Sequence, residues 1–197
     1  MNKAEQKQEK QEDYNQIRNE MTNAGYVERV YIIPKAKATF WGVLIGILLT
    51  ALVMVLYRVI YGLQPDFQLN MPVFCIGAVV SLIIHEFIHG LAWSISCKNG
   101  WKSIEFSWSF IMPVCHCKET LNRAGYAVGV LMPFLILGVG ITLISYVTAN
   151  MTILTVAAIN LIISGGDLLI AFKLFGSKKA KIIDHPTDPG FIAYVKS

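Results

Sequence analysis

Residues 71–97 read MPVFCIGAVVSLIIHEFIHGLAWSISC, and the reading of this stretch decides the fold. At ~1.5 Å of helical rise per residue it is long enough to cross about 30 Å of hydrocarbon. Within it, His85, Glu86 and His89 put three ionisable side chains into five positions. Such groups cost roughly 3 kcal/mol or more each inside a bilayer, so they need a reason to be there. His85-Glu86-Phe87-Ile88-His89 has the form HExxH, and its logic is helical. Two His four residues apart project from one helix face about one turn apart, where both imidazoles can bind one Zn²⁺. Glu86 lies about 100° round the helix from His85, beside the ion rather than on it. There it can take a proton from water that the metal acidifies, so that the water attacks a carbonyl. Gly90 follows directly and leaves room for close approach of another helix or a substrate. Ordinary residue frequencies produce HExxH by chance on the order of once in a hundred chains of this length.

Working outward, three more apolar runs appear, over about 38–61, 124–148 and 151–175. Pro133 inside the second of these predicts a kink. The last two are joined by little more than Ala149 and Asn150, which predicts a tight helical hairpin. The whole chain is 54% hydrophobic and only 15% charged, with a mean hydropathy of +0.51. A soluble domain carries about a quarter charged residues. These features predict an all-α membrane protein with four transmembrane helices. The net charge of +4 sits in loops and tails, with no basic stripe for nucleic acid. Its distribution predicts orientation. Arg29, Lys35 and Lys37 precede the first span; Lys98, Lys102, Lys118 and Arg123 follow the second; Lys173, Lys178, Lys179 and Lys181 end the fourth. The connections at 62–70 and 149–150 have no Lys or Arg. Both termini are therefore expected in the cytoplasm. The first apolar run comes too late and runs too long for a cleavable signal peptide.

A catalytic zinc site needs a third protein ligand. Asp167 is the only acidic residue in the fourth span. Spans two and four run in the same direction, one starting at Met71 and the other at Met151. Counted from those starts at ~1.5 Å of rise per residue, His85 and Asp167 both fall about 21–24 Å from the same edge. Asn160, seven residues before Asp167 and on the same helical face, reads either as an interhelical hydrogen bond or as a substrate or transition-state contact. His116 is the next candidate should Asp167 not bind the metal. Cys115-His116-Cys117 is a weaker candidate for a second metal, because adjacent residues cannot all face one ion without a tight turn. His185 in Asp184-His185-Pro186 reads as a turn residue. All four cysteines read as thiols. Ile104, Phe106, Trp108 and Phe110 alternate with Ser103, Glu105, Ser107 and Ser109, which predicts a half-buried strand or hairpin in the cytoplasmic loop between helices two and three. It could lie at the membrane surface and leave an open edge to which an extended substrate could add. Residues 2–20 read as a solvated helix or as disorder, and residues 26–33 as a short strand closed by Pro34.

The chain resembles the site-2 protease group of intramembrane zinc peptidases. It resembles more closely a bacterial family of membrane zincin peptidases, through HEFIHG, CHCKE, SGGDL and DHPTDPGF. The resemblance implies His85, His89 and Asp167 as zinc ligands and Glu86 as the catalytic base. The residues around the aspartate differ from the site-2 pattern: Gly165 and Gly166 precede it and no glycine follows. Together these readings predict a polar cytoplasmic segment over 1–36, a four-helix membrane zinc peptidase domain over 37–176 and a cytoplasmic tail over 177–197. The expected activity is zinc-dependent hydrolysis of peptide bonds in membrane-associated or transmembrane substrates, in a bacterial inner or cytoplasmic membrane. Its partners are a membrane protein or peptide substrate and the lipid bilayer. A non-catalytic metal-binding transporter or sensor component, or a zinc hydrolase of a non-peptide substrate, stands as the alternative. A transporter would spread its polar groups along a path, whereas here they gather at one depth.

Overall fold

The computed structural model describes residues 3–62, 69–109, 112–176 and 180–196. Most of the expected connection at 62–70, Phe110 of the alternating strand, and Lys178 and Lys179 of the tail lie outside the described residues. A helix α1 (Lys3–Asn23) leads into strand β1 (Tyr26–Ile32) and two long helices, α2 (Lys35–Tyr61) and α3 (Met71–Ser96). The strands β2 (Ile104–Ser109), β3 (Met112–Cys117) and β4 (Leu121–Asn122) follow. The next helical stretch divides into α4 (Arg123–Pro133), a π-helical turn over Phe134–Gly140, and α5 (Ile141–Val147). The chain ends with α6 (Met151–Ile163), α7 (Gly165–Leu174), β5 (Ala180–Asp184) and β6 (Gly190–Lys196).

The helix starts follow local chemistry. Asn70 caps α3 by accepting from the Val73 amide, and Pro72 occupies the first turn, where its missing N–H costs nothing. Asn122 and Asn150 cap α4 and α6 in the same way, through the amides of Gly125 and Ile153. The expected tight hairpin between the third and fourth spans is present. Ala149 turns the chain there at φ 48°, a backbone region that costs a non-glycine residue about 1 kcal/mol. Pro133 is followed at once by the π-helical turn, because a proline cannot continue the i→i−4 ladder.

Among the described residues, three helices are long and apolar enough to cross a membrane: α2, α3 and the composite Arg123–Val147. The fourth expected span is not one continuous helix. It breaks at Ser164 into α6 and α7, bent by 41°, and counts as a fourth crossing only if the bent pair is taken as one. The expectation of an all-α protein also needs correcting. The chain is mostly helical, but β1, β6, β5 and β4 form an antiparallel sheet in that order. Along β6 the side chains alternate between two layers. Phe191 and Ala193 join Trp93, Tyr126 and Leu174 in one core, while Ile192 and Tyr194 join Met21 and Ile183 in a second beneath α1. The sheet is thus covered on both faces. Helix α1, one of the two expected states of that segment, is tied to β1 by Tyr14 donating to Glu28 at 2.6 Å and by Arg18 at 2.7 Å from the same carboxylate. The expected β1 and the expected hairpin between α3 and α4 are both present; in the hairpin Phe106 pairs Cys115 and Glu105 pairs His116.

Glycines set how closely α2 meets the broken helix. A Cβ on Gly46 would stand 2.9 Å from the carbonyl oxygens of Leu161 and Ile162, and one on Gly42 would stand 3.0 Å from Gly166 N. A Cβ on Gly165 would overlap the Gly42 carbonyl oxygen outright. The glycines before Asp167 therefore serve backbone-to-backbone packing at the break. Gly165→Leu is expected to force α2 and α7 apart and to destabilise the protein by roughly 3 kcal/mol or more. Thermal unfolding in detergent measures this. A midpoint unchanged from wild type would show that α2 and α7 do not pack this closely.

Candidate metal centre

Helix α3 presents His85 and His89 inward, both buried, and α7 presents Asp167 in its first turn. The helix break matters here. It places the carboxylate at a helix N-terminus, where the peptide dipoles favour negative charge. The two helices, far apart in sequence, meet at this point. His85 Nε2 lies 3.1 Å from Asp167 Oδ2, His89 Nε2 lies 3.6 Å from the same oxygen, and the two Nε2 atoms are 3.2 Å apart. Among the described residues, His85, His89 and Asp167 form the group of three able to hold a metal ion, with all donor atoms within 4.8 Å. The matching depth expected from counting residues is what brings them together.

These distances fit a tetrahedral ion. Zinc takes His nitrogen and carboxylate oxygen at about 2.0–2.1 Å, and the edge of such a tetrahedron is about 3.3–3.4 Å. The three separations scatter around that value. The protonation pattern agrees. His89 Nδ1 faces the Gly129 carbonyl oxygen at 2.8 Å. A carbonyl only accepts, so Nδ1 carries the hydrogen, and in the neutral imidazole Nε2 is left with a lone pair. That lone pair points at His85 and at a carboxylate, an arrangement that a cation resolves. The Gly129 contact is also the outer hydrogen bond by which metal-binding histidines are usually oriented. His85 Nδ1 is buried with no hydrogen-bond partner among the described residues.

Glu86 leaves this group and reaches the hairpin. Its Oε2 accepts from the Cys115 amide of β3 at 2.8 Å. One carboxylate oxygen is thereby held in place by a strand, a contact with no signature in the sequence. Gly90, expected to admit a helix or substrate, admits the hairpin instead: a Cβ there would lie 2.9 Å from Ile104 Cγ2 and from Phe106 Cζ. Behind the site, the His89 ring stacks on Trp93 at 5.3 Å, and Trp93 stacks on Tyr126 at 5.7 Å. Tyr126 donates to Asp184 Oδ1 at 2.6 Å. This aromatic column ties the centre to β5. Gly129 is required in it, because a Cβ there would overlap the Trp93 indole.

The other candidates fall elsewhere. Asn160 is fully buried; its Nδ2 donates to Val156 O at 2.9 Å within its own helix, and its Oδ1 has no hydrogen-bond partner among the described residues. His116 Nδ1 lies 3.4 Å from Asp184 Oδ2. Cys115 and Cys117, at alternate strand positions, point the other way into the core, and burial holds their thiols well above the usual range. Cys115, His116 and Cys117 therefore do not converge on an ion. Cys117 Sγ lies 3.2 Å from Cys97 Sγ, and all four cysteines are free. His185 is the turn residue expected: its Nδ1 accepts from the Asp188 amide at 3.0 Å, and burial lowers its pKa. Sequence reasoning missed Gly42 and Gly46, although their four-residue spacing in an apolar helix is a known packing signal.

Comparison with curated proteins and comparison with solved structures each return no match. A family model does match, over residues 78–182, a span that takes in His85, Glu86, His89, the hairpin and Asp167. That span covers more than half of the chain, and the protein belongs to the family described as "Putative zincin peptidase", whose name implies zinc.

Proposed function

We propose that the chain is a membrane-embedded zinc metallopeptidase that hydrolyses peptide bonds of membrane-associated or transmembrane substrates. The observation that carries this reading is the spacing of the three donor atoms, 3.1, 3.2 and 3.6 Å, on apolar helices. Family membership supports the peptidase class. His85, His89 and Asp167 would hold the ion and leave a fourth position open. Bound zinc supplies a lowered pKa for water and polarisation of a carbonyl oxygen. The remaining work falls to the chain. Glu86 takes the proton that the attacking water loses and returns it to the departing amine. The Cys115 amide holds one Glu86 oxygen and so fixes where the other can receive that proton. Gly129 O keeps the proton of His89 on Nδ1.

Purified protein is expected to contain one equivalent of zinc. Stripping with a chelator should end cleavage of its membrane substrates, and added zinc should restore it. The substrates are those membrane proteins that accumulate uncleaved in cells making only the Glu86→Gln variant. A zinc-loaded protein with no such accumulation would favour the non-catalytic metal-binding alternative.

We also propose that both termini are cytoplasmic, with α6 and α7 making one broken crossing. The support is the lysine and arginine bias at the span ends. Reporter fusions at residue 66 and at the C-terminus should then report opposite sides of the membrane. Signals from the same side would sink this topology.

A further inference from the structure

The hairpin β2–β3 leaves part of its apolar side uncovered by protein. A half-buried strand in a soluble protein hides its apolar side chains and shows its polar ones. Here Phe106 is 45% and Trp108 67% exposed, while Glu105 and Ser107, between and beside them, are partly covered. The polar side of the strand contacts the rest of the protein. Lys118, just after β3, bridges Glu105 at 3.2 Å and Asp13 of α1 at 3.6 Å. The apolar side packs Ile104, Cys115 and Cys117 against α3 and the core, and leaves the Phe106 and Trp108 rings uncovered beside α3. Phe106 lies 5.9 Å from Trp101, and Trp101 lies 5.3 Å from Phe87 on α3. Phe87 and Trp101 are themselves 49% and 44% exposed. Three aromatic rings from three elements thus form one outward surface, merging with the exposed Ile83, Ile84 and Leu91 of the same span.

The level of this surface can be counted from the start of α3 at Met71. At ~1.5 Å per residue, Phe87 and Gly90 stand about 24 and 28 Å along the helix, against about 30 Å of hydrocarbon. Phe106, packed at Gly90, is therefore at the level where hydrocarbon gives way to headgroups. That is where Trp and Tyr collect in membrane proteins, because their rings have an apolar body and a polar edge. Lys98 and Lys102, both exposed, sit just beyond, within reach of lipid phosphates.

We propose that the hairpin is an interfacial anchor: the face made by Phe87, Trp101 and Phe106 lies in the lipid headgroup boundary. The occupant of this face is the bilayer, because the face is continuous with the lipid-facing side of α3 and lies at the depth of the boundary. The anchor holds β3, and with it the amide that binds Glu86, at a set level in the membrane.

The test uses the full-length protein in phosphatidylcholine vesicles. The emission of Trp101 is isolated as the difference between wild type and Trp101→Phe, a change at an exposed position that leaves the core untouched. It is read with lipids brominated near the headgroup end of the acyl chains, with lipids brominated near the chain ends, and with aqueous iodide. The expected result is a larger loss of emission to the shallow bromines than to either other quencher. Greater loss to iodide means the face is in water and overturns the proposal. Greater loss to the deep bromines overturns the interfacial placement. Protection from all three means protein covers the face and also overturns it. The measurement needs neither zinc nor activity, so its failure would leave the peptidase reading standing, and failure of that reading would leave the anchor standing.

Discussion

His89→Ala and His85→Ala are each expected to lose tightly bound zinc, and Asp167→Ala to lose it nearly as completely. Each substitution leaves two protein donors, and two donors hold zinc weakly. The scale follows from outer contacts: deleting a group that merely orients a ligand costs roughly 10–100-fold in affinity, so deleting the ligand itself costs more than that. Asp167 carries the sharper test, because it comes from a different helix and stands outside the HExxH motif. His116 cannot replace it in this fold, since its ring pairs with Asp184 at 3.4 Å and sits on the hairpin face turned away from Cys115 and Cys117. Asn160→Ala serves as a control and keeps its zinc, because the Asn160 amide bonds within its own helix. Zinc per protein by elemental analysis after dialysis measures all four. A full equivalent retained by Asp167→Ala would remove the carboxylate from the ligand set and with it the geometry on which the metal centre is built.

Glu86→Gln separates an enzyme from a metal-binding protein. The amide keeps the volume and an oxygen to accept from the Cys115 N–H, so the hairpin contact at 2.8 Å survives. What disappears is the base. General-base catalysis contributes about 10²–10⁴-fold, and a loss of that size or larger is expected in cleavage rate, with zinc content and unfolding midpoint unchanged. Cleavage of a substrate that accumulates in the Glu86→Gln strain, assayed beside elemental analysis, gives both readings on one preparation. A wild-type rate would refute the mechanism. Loss of zinc would instead make Glu86 a ligand or a structural partner and would favour the non-catalytic alternative.

The hairpin shows how a correct local reading leaves the environment open. Alternation of Phe106 and Trp108 with Glu105 and Ser107 reads as a strand, and the strand is there. The alternation put Ile104, Phe106 and Trp108 on one face, and in the structure that face is partly covered at Ile104 and exposed at Phe106 and Trp108. Period two says which residues share a face; it does not say what that face meets. The fourth span carries a similar lesson. Helices α6 and α7 read in sequence as one apolar run, and only Ser164-Gly165-Gly166 hinted at a break. The break became visible once α2 was seen to press Gly42 and Gly46 against it.

The sequence by itself determined what depends on neighbours along the chain. Apolar run length marked the spans, and the i, i+4 spacing put His85 and His89 on one face. Counting rise placed Asp167 at the depth of His85, because helical rise is constant and a span's start is legible. Tertiary structure decided what depends on contacts between segments distant in sequence. It joined β1, near one end of the chain, to β6 at the other, and no local pattern encodes such a pairing because strand partners are chosen by packing on both sheet faces. It bent the fourth span so that Asp167 begins a helix. It also brought the Cys115 amide to Glu86 and the Gly129 carbonyl to His89. Both of these are backbone groups, present at every residue, so only the folded arrangement of helices and hairpin could select them.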